Sequence, residues 1–384
     1  MAYQIKCFDK IAKCGLDALG EKYSFTDDIA QADVALVRSS SLHEANAGEK
    51  LFAVARAGAG VNNIPVDKFA EKGIVVFNTP GANANAVKEL VIAALLASRD
   101  IIDGVNWVKT IESDISKTVE KGKKAFAGKE IAGKKLGVIG LGAIGVLVAN
   151  SAISLGMTVY GYDVSLSIEH ALALKNNVVA VKSLDEMFAE CDYITVHVPL
   201  LDSTKYLFNA DAFAKMKDGV SIINFSRDLL VNDDDMRAAL ASGKVHRYVT
   251  DFPNEKVRAM AGVIVVPHLG ASTTESEDNC AVMAVTELMA YVSTGSIKNS
   301  VNFPELDAGS VGEGYRIAVL HKNVPNMIGQ FTALLGKKGI NIVNMANKSK
   351  GNNAYTVIDT ETDPAGIAAE LSAIENVYRV RTIQ

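Results

Sequence analysis

A glycine-rich turn between two short apolar segments constrains the fold of this chain more than any other feature. Residues 134–163 read KKLGVIGLGAIGVLVANSAISLGMTVYGYD, and the glycines have the spacing Gly140-x-Gly142-x-x-Gly145. Gly140 permits a tight turn, Gly142 lets the backbone approach a pyrophosphate, and Gly145 lets a helix pack closely on the preceding strand. The stretch therefore predicts a strand, a turn and a helix whose N-terminus binds a dinucleotide.

The residues that flank this turn indicate which dinucleotide binds. The helix begins near Ala143 and Ile144, and a second strand, Met157–Tyr162, ends at Asp163. A carboxylate at that position accepts hydrogen bonds from the ribose hydroxyls and repels a 2′-phosphate. We therefore expect NAD rather than NADP.

Length and charge limit the classes of function. A chain of 384 residues is too long for one ordinary core, which predicts two or three domains. The formal net charge is -5, and an acidic chain is poorly suited to nonspecific nucleic-acid binding. An anionic substrate would therefore need a local basic cluster.

The cysteines and the N-terminal residues indicate the compartment. Cys7, Cys14, Cys191 and Cys280 lack the spacing of metal ligands or redox pairs, which predicts free thiols, a reducing compartment and no metal site. The sequence MAYQIKCFDK has no signal pattern, and no apolar run approaches the length of a membrane span. We expect a cytoplasmic protein with no membrane association.

Short apolar segments alternate with helical patterns in the first hundred residues, which predicts a parallel sheet whose ligands bind beyond the carboxyl ends of the strands. Arg38 and Ser39 follow one strand, and Arg56, Ala57 and Gly58 follow another. Two guanidinium groups at successive strand ends predict an anion site, although solvated surface arginines beside turn glycines remain an alternative. The predicted strands are Tyr3–Phe8, Val34–Arg38, Phe52–Ala55 and Ile74–Asn78.

A second and larger parallel sheet is expected around the glycine turn. One long helical pattern, Ala86–Ile111, leads into it and contains Trp107 and Lys109, and the basic segment Lys117–Lys135 is typical of a solvated connecting surface. Together with the strands of the glycine turn, the later strands predict a doubly wound Rossmann sheet. They are Val178–Val181, Tyr193–Val198, Val220–Phe225, Tyr248–Phe252 and Val263–Val266.

Polar residues that suit the oxidation of a 2-hydroxy acid follow these later strands. An arginine such as Arg227 can bind a substrate carboxylate, and His268 can take the hydroxyl proton as hydride leaves for the nicotinamide. A carboxylate against the histidine would orient its ring and stabilise its charged form. The strand ends read His197-Val198-Pro199, Asn224-Phe225-Ser226-Arg227, Thr250-Asp251-Phe252-Pro253-Asn254-Glu255 and Pro267-His268-Leu269-Gly270.

At this point the chain resembles the D-isomer-specific 2-hydroxyacid dehydrogenase family, and in particular its shorter members that end in an ACT domain. The motifs that carry the resemblance are VRSSS, RAGAGVNNI, NTPGANANAVKEL, GVIGLGAIG, HVPL, INFSRDLLVN and VVPHLGAST. The resemblance implies NAD-dependent oxidation of 3-phospho-D-glycerate to 3-phosphohydroxypyruvate, the first step of L-serine biosynthesis. It also implies a homodimer or homotetramer.

The resemblance further implies roles for individual residues. Arg227 would bind substrate, His268 would be the acid/base, and Glu255 would be the carboxylate partner of His268. The implied cofactor residues are Gly140, Gly142, Ala143, Ile144, Gly145, Asp163, His197, Val198, Pro199, Ser226, Asp251 and Gly270. The implied substrate residues are Arg38, Ser39, Arg56, Ala57, Gly58 and Lys109.

The expected domains follow the same resemblance. A split, flavodoxin-like substrate-binding domain would comprise residues 1–98 and 284–305, with a helix near Asp278–Gly295 that returns the chain to it. An NAD-binding Rossmann domain would comprise residues 99–283, and an ACT-like regulatory domain residues 314–384. The cofactor and the substrate would meet in a cleft between two domains.

Three features depart from the family pattern. Asp228 replaces the usual glycine after the arginine, and a carboxylate at that position would weaken the attraction of Arg227 for the substrate. Lys256 replaces the usual proline after Glu255. The loop from Glu255 to His268 is also shorter than usual.

The last seventy residues predict a ferredoxin-like βαββαβ unit that resembles an ACT domain. The strands are Tyr315–Leu320, Asn341–Lys348, Asn353–Thr360 and Val377–Arg381, and the helices are Asn326–Lys338 and Ala365–Ile374. His321, Asn323 and Asn341 match the positions that bind L-serine in feedback-inhibited relatives. An assembly module without a ligand is the alternative.

Other functions remain open at this stage. A glyoxylate or hydroxypyruvate reductase or a D-lactate dehydrogenase would use the same arginine, histidine and carboxylate. A noncatalytic NADH-sensing corepressor is an alternative from a different class. Trp107 is expected either to anchor in a neighbouring subunit, which would bring Lys109 to the neighbour's substrate, or to pack within its own core.

Overall fold

The computed structural model describes residues 2–364 and 366–384. Met1 and Ala365, the predicted first residue of the last helix, lie outside the described residues. Contacts divide the chain into two units, Met1–Asn83 with Glu277–Gln384, and Ala84–Ser276. The division into three domains stays a prediction.

The N-terminal part of the first unit is a five-stranded parallel sheet with the strand order β2-β1-β3-β4-β5. The residues of β3 and β5 are all buried, as expected for parallel strands that are covered on both faces. The elements are β1 (Tyr3–Cys7), α1 (Lys13–Leu16), β2 (Tyr23–Phe25), β3 (Val34–Val37), β4 (Ala53–Arg56), α2 (Val66–Glu71) and β5 (Val75–Phe77).

The unit Ala84–Ser276 contains a seven-stranded parallel sheet with the order β12-β11-β10-β9-β6-β7-β8. Strand order reverses at β6, so the carboxyl ends of β6 and β9 flank the switch point at which doubly wound sheets bind ligands. The strands are β6 (Lys135–Ile139), β7 (Thr158–Tyr162), β8 (Val179–Ala180), β9 (Tyr193–Val196), β10 (Val220–Asn224), β11 (Val245–Thr250) and β12 (Val263–Val265).

Nine helices accompany this sheet in the described part of the unit. They are α3 (Ala84–Ala97), α4 (Ile101–Lys109), α5 (Ile115–Gly122), α6 (Ala143–Ser154), α7 (Ile168–Ala173), α8 (Leu184–Glu190), α9 (Ala210–Lys215), α10 (Asp233–Ala241) and α11 (Glu255–Arg258). Helix α12 (Thr274–Thr294) then returns the chain to the first unit.

The C-terminal part is an antiparallel sheet with the order β14-β15-β13-β16. Its elements occur in the predicted βαββαβ order, and this small sheet completes the α/β fold expected from the sequence. They are β13 (Tyr315–Lys322), α13 (Met327–Lys337), β14 (Ile342–Lys350), β15 (Asn353–Thr360), α14 (Ile367–Ser372) and β16 (Val377–Ile383).

One local expectation was wrong, and one strand was not predicted. The helical pattern Ala86–Ile111 is broken at Asp100, whose φ of 63° is left-handed, so two helices form. The segment after Lys117 contains α5 and a 3-10 turn, Lys123–Phe126, and neither has a buried residue, in keeping with the expected solvated surface. The short strand β2 was not predicted at all.

Among residues 2–364 and 366–384, no helix is both long enough and apolar enough to cross a bilayer.

Candidate active site

The glycine turn has the geometry that a pyrophosphate needs. Gly140 has a φ of 90°, and a side chain on Gly145 would collide with the carbonyl oxygen of Gly140. Gly142 is the N-cap of the 12-residue helix α6, and among the described residues no heavy atom lies within 4 Å of the point where its Cβ would be. The turn therefore leaves open space at a helix N-terminus, where backbone N–H groups and the helix dipole favour an anion.

Asp163 follows β7 and is bound to this turn. One carboxylate oxygen accepts a hydrogen bond from the backbone N–H of Leu141 at 2.7 Å, and the other accepts one from Ser165 at 2.7 Å. The carboxylate is therefore held beside the turn, where a ribose would lie. Its negative charge would disfavour a 2′-phosphate at this position.

Residues after β9 and β10 line the other side of the switch point. Burial lowers the pKa of His197 to about 3, so this ring is neutral at physiological pH. Nε2 of His197 lies 3.0 Å from Oγ1 of Thr195, and Nδ1 is buried without a hydrogen-bond partner among the described residues. The Ser226 hydroxyl donates to the Val196 carbonyl at 2.6 Å, which joins the ends of β9 and β10. A neutral buried imidazole suits binding better than proton transfer.

Arg227 is exposed after β10, and its backbone is fixed by a buried asparagine. Nδ2 of Asn224 donates to the Arg227 carbonyl at 2.8 Å, and Oδ1 accepts from the Ser226 N–H at 3.1 Å. Nη1 of Arg227 donates to the Ser226 carbonyl at 2.6 Å. The guanidinium group therefore lies close to its own strand end and remains accessible to a carboxylate.

The two unusual side chains near the site contact α10 and the start of α11. Asp228 accepts a hydrogen bond from Nδ2 of Asn254 at 3.2 Å, and burial, followed by the charge of Asp233, raises the pKa of Asp228. Lys256 lies 2.7 Å from the carboxylate of Asp234. The hydrogen-bond partner of Asp228 among the described residues is Asn254, the N-cap residue of α11, and the effect of Asp228 on Arg227 stays a prediction. The two departures from the family pattern thus connect α11 to the segment after β10.

His268 and Glu255 are not brought together. Glu255 is the first residue of α11, its side chain is 92% exposed, and it lies 3.3 Å from Nη2 of Arg258. Among the described residues no ion pair within 4 Å joins it to His268. The His268 ring instead packs against the Phe252 ring at 4.9 Å in an edge-to-face arrangement. The short α11 follows the strand end directly and directs Glu255 to solvent, so the expected Glu255–His268 contact is absent from this structure.

The unit that contains β1 to β5 carries the predicted anion residues. Arg38 donates from Nη2 to Glu277 at 2.7 Å, and Nε of Arg56 donates to the Arg38 carbonyl at 3.1 Å. A side chain on Gly58 would collide with the Arg56 guanidinium group, so only glycine leaves room for it. The two arginines thus lie at neighbouring strand ends, and Ser39 is exposed beside them while Ala57 is buried.

Sequence reasoning missed the residues that shape this loop. The Asp9 carboxylate accepts hydrogen bonds from the backbone N–H groups of Arg38 at 2.7 Å, Ser39 at 3.1 Å and Ser40 at 3.2 Å. Burial alone would raise the pKa of Asp9, but these bonds outweigh it and lower the pKa. Nδ2 of Asn63 donates to the Ser40 carbonyl at 2.8 Å. The only sequence signal for Asp9 was an acid directly after the first predicted strand.

Known proteins resemble this chain over most of its length. The family model described as "D-isomer specific 2-hydroxyacid dehydrogenase, NAD binding domain" matches residues 91–270. D-3-phosphoglycerate dehydrogenase of Haemophilus influenzae is 33% identical over 349 residues, which cover 88% of this chain and 82% of that protein. The chain belongs to the D-isomer specific 2-hydroxyacid dehydrogenase family.

Two further matches agree with this assignment. Hydroxypyruvate reductase of Thermotoga maritima is 36% identical over 286 residues, which cover 70% of this dehydrogenase and 87% of that protein. The NAD+-bound 3-phosphoglycerate dehydrogenase of Entamoeba histolytica has a TM-score of 0.62 at 25% identity, covering 80% of this chain and all of that one. The chain is therefore an NAD-dependent dehydrogenase, and the sequence predictions of the fold, the enzyme class and the cofactor are confirmed.

The predicted effector residues of this dehydrogenase have different environments. Both ring nitrogens of the buried His321 are occupied, Nδ1 with the Lys322 carbonyl at 2.8 Å and Nε2 with Oγ1 of Thr356 at 2.8 Å. Burial lowers the pKa of this ring. Asn323 precedes α13 and Asn341 follows it, so the two residues lie beyond opposite ends of a helix that is roughly 16 Å long at about 1.5 Å per residue. One serine could contact both asparagines only if they came from two chains.

Residues 101–126, called the extension below, contain α4, α5 and the 3-10 turn Lys123–Phe126. None of these three elements has a buried residue. The Trp107 ring packs on Phe126 of the same chain at 5.0 Å. Ile101, Val105 and Val108 are 44 to 47% exposed and share one face of α4, because they are four and three residues apart. Lys109 ends this helix and is exposed.

Proposed function

We propose that this dehydrogenase oxidises 3-phospho-D-glycerate to 3-phosphohydroxypyruvate with NAD, the first step of L-serine biosynthesis. The observation that carries the proposal is the arginine pair, since Arg38 and Arg56 lie at neighbouring strand ends and share a hydrogen bond. A dianionic phosphate is the substrate group that most needs two guanidinium groups. The name of the Haemophilus influenzae relative supports the same substrate.

Residues at the carboxyl ends of the Rossmann strands would perform the reaction. Arg227 would bind the substrate carboxylate and stabilise the charge on the developing carbonyl oxygen. His268 would accept the hydroxyl proton. When bound, NAD supplies the hydride acceptor. The C–H bond would break with its electron pair as the O–H bond releases its proton, so the carbon–oxygen bond becomes a carbonyl.

Reduction of hydroxypyruvate or a related 2-oxo acid is the second candidate, and the Thermotoga maritima relative favours it. The two functions differ in the need for a phosphate. The test is NADH formation, measured by absorbance, with 3-phospho-D-glycerate, D-glycerate and D-lactate as alternative substrates. The proposal requires the highest kcat/KM with 3-phospho-D-glycerate, and equal or higher values with D-glycerate or D-lactate would refute it.

We further propose that the enzyme is a homodimer or homotetramer in which α4 contacts a second copy of the chain. The support is the apolar face of Ile101, Val105 and Val108 on an extension that buries none of its own residues. Contiguous exposed apolar residues on a helix typically mark an interface. Lys109, at the end of this helix, would then approach the substrate of the neighbouring subunit.

We also propose that L-serine binds between the C-terminal units of two chains and slows the reaction. Amide side chains such as Asn323 and Asn341 can donate to a carboxylate and accept from an ammonium group. His321 would stabilise the loop rather than contact serine, because both of its nitrogens are already used. Calorimetry should show serine binding to the parent and weaker binding to Asn341→Ala, and a parent that binds no serine would refute the proposal.

A further inference from the structure

A cavity of about 350 Å³ lies at the amino ends of the strands of the seven-stranded sheet. Its lining includes Tyr193, Val220 and Val245, which begin β9, β10 and β11, and Lys134, which directly precedes β6. Strand β6 spans five residues, or about 16 Å at roughly 3.3 Å per residue, between Lys134 and the glycine turn. The cavity is therefore separate from the edge of the sheet at which the cofactor would bind.

A buried hydroxyl group lines this cavity. Ser221 is the second residue of β10 and is 3% exposed. Its backbone N–H donates to the Asp192 carbonyl at 3.1 Å, but its hydroxyl makes no hydrogen bond among the described residues. Ile223, two residues later on the same face of the strand, packs in the apolar core. A buried polar group without a protein partner typically binds a ligand or an ordered water.

The unpaired charges of this cavity are positive. Lys129 and Lys134 line it, and among the described residues no ion pair within 4 Å involves either side chain. The three lining carboxylates are each paired with a cation, at 2.6 Å for Asp100 with Arg247, 3.2 Å for Asp192 with Lys217 and 2.9 Å for Asp218 with Lys244. Two ammonium groups thus remain to bind an anion.

The size and the lining of the cavity indicate the class of anion. Small-molecule sites typically have volumes of roughly 300–1,000 Å³, so a cavity at the lower end of this range admits only a small ligand. Lys129 and Lys134 suit a ligand with two negative charges, and the Ser221 hydroxyl can donate to a carboxylate oxygen. Leu240 adds an apolar contact. A short dicarboxylate, with charged ends and an apolar middle, combines these properties.

The cavity also touches both ends of the extension. Asp100 directly precedes α4, and Ala127, Gly128 and Lys129 follow the 3-10 turn. Arg247 of β11 already joins this region to the sheet, because it pairs with both Asp100 and Asp103. A ligand that contacts Lys129 and Lys134 would add a second connection between the extension and the sheet. Local opening of the extension would then cost more free energy, because the ligand would be released.

We propose that this cavity binds a small dicarboxylate through Lys129 and Lys134 and thereby holds the extension against the sheet. The ligand is bound noncovalently, at the opposite edge of the sheet from Gly140, Asp163 and Arg227. The inference does not depend on which 2-hydroxy acid the enzyme oxidises.

The test is calorimetric titration of the full-length protein with glutarate, a dicarboxylate that has no hydroxyl or oxo group to react. The double variant Lys129→Gln/Lys134→Gln should bind glutarate about tenfold more weakly or worse, because two charge-assisted contacts are lost. The matched control is Lys121→Gln/Lys124→Gln, which removes two exposed lysine charges from the extension and should bind as the parent does.

Two further measurements locate the ligand. Arg56→Gln should bind glutarate as the parent does, which separates the cavity from the arginine pair. Amide hydrogen exchange of the parent should slow in residues 101–134 when glutarate is added.

The inference would be overturned by a parent that binds no glutarate, by equal binding to Lys129→Gln/Lys134→Gln, or by loss of binding in Arg56→Gln. Unchanged hydrogen exchange in the extension of the glutarate-bound parent would refute its role in holding the extension. None of these measurements uses the oxidation reaction, so a failure of the proposed substrate would leave their results unaffected.

Discussion

Glu287 in α12 should make the stability of this enzyme fall as the pH rises. The residue is 6% exposed, and its Oε1 accepts a hydrogen bond from Nδ2 of Asn299 at 2.6 Å. Oε2 is buried without a partner among the described residues. Burial raises the pKa of Glu287 to about 7, despite the opposing effects of Asn299 and the Lys298 charge. Replacement by glutamine would remove the ionisation and keep an acceptor for Asn299.

The size of the effect follows from the difference between the two pKa values. The ordinary value is 4.5, so about 2.5 pH units separate it from a folded value of about 7. At about 1.4 kcal/mol for each pH unit, ionisation destabilises the folded chain by roughly 3 kcal/mol. Below pH 4.5 both states hold the proton and nothing is lost. Between the two values only the unfolded chain releases its proton, so stability falls as the pH rises, and above about 7 the loss is complete.

Urea denaturation of the parent and of Glu287→Gln at several pH values measures how much the ionisation of Glu287 lowers the free energy of unfolding. The variant should match the parent at about pH 4 and exceed it by up to roughly 3 kcal/mol at about pH 8. Glu275→Gln, a change to an exposed residue near the start of the same helix, is the control and should show no such trend. A difference between Glu287→Gln and the parent that does not change with pH, or that grows as the pH falls, would refute the reasoning.

Three further changes test other parts of the structure. Asp163→Asn removes the charge and keeps one of the two oxygens that accept from Leu141 and Ser165, so the ratio of kcat/KM for NAD to that for NADP should fall about tenfold or more; an unchanged ratio would exclude Asp163 as the discriminator. Asp9→Asn should loosen the Arg38 loop and raise KM for 3-phospho-D-glycerate severalfold, with kcat nearly unchanged; an equal rise in KM for D-glycerate would contradict a role in phosphate binding. Val105→Glu should shift sedimentation toward the monomer while the neighbouring Asn106→Glu does not, and a parental profile for Val105→Glu would count against an α4 interface.

The fold could be predicted from the sequence because the patterns that indicate it lie within short stretches of residues. The glycine spacing, the apolar strands and the polar strand ends all lie within short windows, and parallel strands place such ends at one edge of a sheet. Gly140, Gly142, Gly145 and Asp163 accordingly lie together around the turn. Arg38 and Arg56 also lie side by side, as successive strand ends predict.

The remaining features depend on contacts that no short window contains. Asp9 is 29 residues from Arg38, and Asp251 is 19 residues from Gly270. The outward direction of Glu255 depends on the four-residue helix α11, which is too short to have a periodic signal. The break at Asp100 is a left-handed residue that apolar periodicity cannot detect.

The most direct test of the central proposal is whether the arginine pair is responsible for a preference of the enzyme for a phosphorylated substrate. The measurement is kcat/KM for NAD-dependent oxidation of 3-phospho-D-glycerate and D-glycerate by the parent and by Arg56→Gln. Charge-assisted contacts of about 1.5–3 kcal/mol predict that the phosphate raises kcat/KM at least tenfold in the parent, and that most of this advantage is lost in Arg56→Gln while D-glycerate oxidation changes little. The proposal would be contradicted if the ratio of kcat/KM for 3-phospho-D-glycerate to that for D-glycerate were the same in both proteins. It would also be contradicted if the parent showed no preference for the phosphorylated substrate.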